Sequence, residues 1–133
     1  MSVAWYIVLE RRITGFNHIV DGKALGRAEH TLDALADDLG VQRLMQFFSA
    51  SPEELADFAG AQGLDLRENP IQTPSEKWFS ANDGLKSVSA LMEALEDKKI
   101  EHAGPIIQDL KEFKRVLDAA REDGVRWHLS IDF

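Results

Sequence analysis

The two ends of the chain constrain its fold more than anything between them. Residues 3–10 (VAWYIVLE) and 125–133 (VRWHLSIDF) are the only clear strand candidates in 133 residues, and nearly all of the intervening sequence carries helix signals. In the second segment Val125, Trp127, Leu129, Ile131 and Phe133 alternate with Arg126, His128, Ser130 and Asp132. This period of two predicts a strand with one buried face and one wetter, polar face. The first segment has no polar face: Val3, Trp5, Ile7 and Leu9 point one way and Ala4, Tyr6 and Val8 the other. It is therefore expected to be covered on both sides, interior to its sheet. Backbone groups in two such apolar segments need partners, because burying them unpaired costs a few kcal/mol each. Both segments are expected in one sheet that floors a helical layer.

Helix periodicity fills the middle. After a long mixed connection over residues 11–22, with a further short strand expected near Ile13 or Ile19, Leu25, Ala28, Leu32, Leu35 and Leu39 recur at three- and four-residue steps before Gly40, which predicts one amphipathic helix. Val41, Leu44, Met45 and Phe48 suggest a short second helix. Three segments, Ser51 to Glu54, Thr73 to Glu76 and Ser80 to Asp83, place a hydroxyl at an N-cap and an acid three residues later, where both satisfy free first-turn amides. They predict a third helix over residues 52–61, a single turn around residues 76–79, and a longer helix with Leu85, Val88, Leu91, Met92 and Leu95 on one stripe. Pro105 opens the last helix, whose apolar face is Ile106, Leu110, Phe113, Leu117 and Ala120, and Gly124 ends it. The sequences that follow the three caps do not match, so they are not an internal repeat.

The expected architecture is an α+β fold, with about five helices packed on a small sheet formed mainly by the N- and C-terminal strands. A length of 133 residues with 44% hydrophobic side chains fits a single globular domain over residues 1–133, since a chain of this size buries roughly two-thirds of its unfolded surface.

The functional signal is mostly one of exclusion. With 23 acids against 15 Lys and Arg the formal charge is −8, which disfavours nucleic acid and anionic membranes as partners. There is no cysteine, so no disulfide or thiol chemistry. The amino-terminal apolar run is too short for a membrane span and lacks the charge order of a signal peptide, and a cytoplasmic location is expected. His18, His30, His102 and His128 are scattered without metal-ligand spacing. Gly22 to Gly26 (GKALG) matches neither the P-loop nor the dinucleotide fingerprint. No cofactor, metal or catalytic residue is assigned.

Two features remain. His128 shares a strand face with Arg126, Ser130 and Asp132, but next-but-one residues stand about 6.6 Å apart, too far for a direct relay. This set is read as a polar strand face. Trp78 and Phe79 are adjacent in an irregular, proline-flanked stretch, where two neighbouring aromatics cannot both point inward from one regular turn, and they are the candidate interaction residues.

Residues 44–54 (LMQFFSASPEE), 78–85 (WFSANDGL) and 124–129 (GVRWHL) resemble segments of small bacterial proteins of unknown function. The resemblance spans most of the chain, is carried by caps and core aromatics, and implies a bacterial cytoplasmic protein with no site residue to transfer. The leading expectation is a non-catalytic protein-interaction or regulatory module that binds a protein partner or a second copy of itself. The alternative is a small-molecule binder or enzyme with a pocket between sheet and helices, in which His128 or Tyr6 would meet convergent acids.

Overall fold

The computed structural model describes residues 4–50, 76–98, 100 and 102–132. Along the chain run β1 (Ala4–Leu9), α1 (Lys23–Arg27), α2 (Glu29–Leu39), a 3-10 turn (Leu44–Phe47), α3 (Ala81–Asp97), α4 (Ala103–Asp123) and β2 (Trp127–Asp132). The fold is α+β: four α-helices among the described residues and a two-stranded antiparallel sheet made from the N- and C-terminal strands.

The register places Trp5 opposite Ile131, Ile7 opposite Leu129 and Leu9 opposite Trp127 on one face, and Ala4 opposite Asp132, Tyr6 opposite Ser130 and Val8 opposite His128 on the other. The first face meets the helices. Trp5, Ile7, Trp127 and Leu129 are buried there with Leu85, Val88, Leu91 and Leu95 of α3 and Leu110, Phe113, Val116 and Leu117 of α4. Phe47, from the 3-10 turn, stacks on Trp127 with ring centroids 5.0 Å apart.

α3 begins where its sequence says it should, with the Ser80 hydroxyl accepting from the Asp83 amide at 3.1 Å. In the same turn the Ser80 carbonyl accepts from Nε1 of Trp127 at 3.0 Å. A Cβ added to Gly84 would stand 2.4 Å from Cζ2 of that indole, so only glycine lets the helix come this close.

The expected helix through Leu25 and Leu39 is two helices. Ala28 leaves helical geometry between them, at φ −98° and ψ 16°. The first piece has no side-chain cap of its own. Asp109 of α4 supplies one from a distance, accepting from the Ala24 and Leu25 amides at 3.0 and 3.3 Å. Burial pushes the Asp109 carboxyl above its usual range, and the two amides only partly offset this.

Other expectations shift as well. The short second helix is a single 3-10 turn, and the third, over residues 52–61, lies outside the described residues. The turn expected around residues 76–79 is extended: Phe79 bridges Trp127 through two backbone hydrogen bonds of 2.8 and 2.9 Å. Neither Ile13 nor Ile19 begins a further strand. The 11–22 connection returns to the sheet only at Gly22, which exchanges two hydrogen bonds with Trp5.

Candidate functional site

The helices cover one face of the sheet, so its other face is where a site has room to form. That face is unlike the two expected strands. β2, read as half wet, is buried on both sides from Trp127 to Ser130, whereas β1, read as covered on both sides, leaves Ala4, Tyr6 and Val8 only half-buried.

The four residues expected to share a polar strand face are divided accordingly. Arg126 is exposed just before β2 and makes a two-point ion pair with Glu10 through Nε and Nη2. Its guanidinium holds the Glu10 carboxyl below the usual carboxylate range, chiefly through the side-chain hydrogen bond. Asp132 is exposed at the other end. Between them His128 and Ser130 are buried, which corrects the reading of these positions as solvent-facing.

His128 is buried because residues 76–78 lie over it. Its Nδ1 is 3.0 Å from the Leu129 carbonyl oxygen. Nε2 stands 2.6 Å from Oε2 of Glu76, and the Trp78 ring tilts across the imidazole at 4.8 Å. Both ring nitrogens are thus engaged within the protein, and the side chain has no exposed surface. Among the described residues no group of three or more His, Asp and Glu side chains could hold a metal ion.

Trp78 and Phe79, the candidate interaction pair, face opposite ways, as extended backbone requires. Trp78 covers His128. Phe79 stands edge-on to Phe47 with centroids 5.3 Å apart. Both are half-buried, and the exposed large apolar residues among those described are Ile19, Leu39 and Phe48 instead.

Ile19, 76% exposed, marks the open half of the sheet's outer face. A shallow groove of about 770 Å³ runs there between β1 and residues 18–21, lined by Ala4, Tyr6, Val8, Ile19, Asp21 and Asp132 among others. Its far wall is anchored at both ends. At Gly22 an added Cβ would meet the Trp5 carbonyl oxygen at 2.7 Å, so the two hydrogen bonds to Trp5 require a residue without one. Upstream, Arg115 of α4 donates to the Asn17 carbonyl at 2.9 Å and lays its guanidinium over Phe16, 5.1 Å from the ring centroid. The Asn17 side chain in turn accepts from the Ile19 amide at 2.9 Å. Lys23 stands 3.6 Å from Asp21, while Asp132 makes no ion pair among the described residues.

The sequence placed Tyr6 in a covered strand or, alternatively, in a pocket between sheet and helices; it stands instead on the face away from the helices, in a groove that the sequence did not single out. The available signal was Ile19 itself, an isoleucine in a connection without apolar period. No helix of the described residues is long and apolar enough to cross a membrane. No known protein family, curated protein or solved structure matches this chain.

Proposed function

We propose that this chain is a non-catalytic protein-interaction module, a single domain of the bacterial cytoplasm, and that its contact surface is the groove beside β1. One observation carries the reading: a half-open sheet face with an apolar floor, an anchored wall and an isoleucine presented to solvent at its rim. Exposed apolar surface of this kind, bordered by polar groups, is characteristic of contact sites. The engagement of His128 by Glu76 and Leu129 argues against acid–base chemistry there. The acidic balance of the chain favours a protein partner over nucleic acid.

The test is association and stability measured on the same variants. Ile19→Asp should abolish co-purification of a specific partner while leaving the melting temperature within a degree or two of wild type, because Ile19 supports little of the core. Trp78→Ser should lower the melting temperature, since that ring covers His128. If Ile19→Asp leaves association intact, or if a ligand screen gives a signal that Tyr6→Phe abolishes, the small-molecule reading replaces this one.

A further inference from the structure

The groove is not uniform along its length, and its most specific part lies at the Ala4 end. Ala4 stands directly opposite Asp132, and Tyr6 opposite Ser130, on the same face. Tyr6 and Asp132 are therefore diagonal neighbours, about 7–8 Å apart by backbone. Ala4, the smallest side chain on this face of β1, leaves the space beside them low. Ala4, Tyr6 and Asp132 line this end of the groove together. Of the other charged groups lining the groove, Lys23 already faces Asp21, and His18 lies on the opposite wall. Asp132 is left exposed without an ion pair among the described residues.

Resting on the interaction-module reading, we infer that this end of the groove receives an arginine or lysine side chain from an extended segment of a protein partner. A cation set between Tyr6 and Asp132 gains from both the ring face and the carboxylate, and its aliphatic stem covers Ala4 and Val8. The net charge of −8 draws a basic segment toward the chain before contact.

Three capped pentapeptides test this, alternating valine with arginine, with glutamate or with threonine, each titrated into the ¹⁵N-labelled chain. The arginine peptide should move the amide resonances of residues 4–8, 18–21 and 132 selectively. Its affinity should fall about fivefold or more in Asp132→Asn and in Tyr6→Leu, as expected for loss of a charge-assisted or cation–π contact. It should fall again as salt rises from about 0.05 to about 0.5 M. Both substitutions are at residues that are exposed or half-buried, and the melting temperature of each variant reports whether the fold is retained. Shifts at the same residues from all three peptides would overturn the cation contact and leave the groove as the contact surface. Shifts scattered over the surface, an affinity unmoved by Asp132→Asn, or no response to the arginine peptide would also overturn it, and the association test at Ile19 then judges the module reading separately.

Discussion

Trp127 is seated by three residues with different tasks. Ser80 accepts its indole N–H, Phe47 stacks on its ring, and Gly84 makes room for it. The arrangement predicts that Gly84→Ala destabilises the protein, by about 1–3 kcal/mol for an overpacked core site, even though alanine is the better helix former by about 1 kcal/mol. Denaturant unfolding checks this, and a stabilised variant would show that the close approach is wrong. The cap at Ser80 was legible in the sequence. The task of Gly84 was not, because nothing local connects position 84 to an indole more than forty residues away. His128 carries the same lesson. Its place in a period-two pattern identified the strand correctly, but a pattern within one strand cannot report that Glu76 and Trp78 fold over it. An exposed histidine would be replaced at little cost. His128→Ala is instead expected to cost about 1–3 kcal/mol, the range for removing one partner of a part-buried hydrogen bond, measurable by the same unfolding experiment.

At the scale of elements, α1 shows why a continuous apolar stripe did not yield a continuous helix. Its five residues cannot sustain themselves, and their free amides are satisfied by Asp109, 84 to 85 positions later in the chain. That carboxyl is pushed up by burial, so the folded state holds its proton more tightly than the unfolded chain does. Its charged form therefore costs stability, fully above the folded pKa, and the cost disappears below the unfolded pKa. Asp109→Asn keeps an oxygen acceptor without the charge. The variant should be at least as stable as wild type near neutral pH, and its relative advantage should shrink as pH falls through the acid range. Paired thermal melts across that range check it, and a variant clearly less stable at neutral pH would mean that the charge contributes more to the cap than desolvation removes. The Glu10–Arg126 pair has the opposite sign. Glu10 is held below its usual range, so its contribution is present above the unfolded value and lost on acidification through the folded one.

For the molecule as a whole, the sheet is a partition with two unlike coverings. One face carries the helical core around Trp5 and Trp127, 2% and 0% exposed. Alanine at either position should cost about 3–5 kcal/mol, a large share of the stability of a marginal domain. A loss below about 1 kcal/mol at both would misplace the core. The other face is closed over β2 by residues 76–78 and open over β1. The terminal strands and their partnership were readable because apolar segments of that kind have few ways to satisfy their backbones. The division of the outer face was not, because it depends on Gly22 and Phe79 returning to the sheet at isolated bridges that leave no periodic trace.

We propose that partners bind at the open half of this face. The most direct test places a photo-crosslinking amino acid in turn at the three exposed large apolar positions, Ile19, Leu39 and Phe48, and compares the adducts formed in cells. Contact through the groove predicts one discrete adduct from position 19, removed by Tyr6→Asp, and none of that mass from position 39. Equal adducts from Ile19 and Leu39, or a discrete adduct from Leu39 or Phe48 with none from Ile19, would place the contact surface elsewhere.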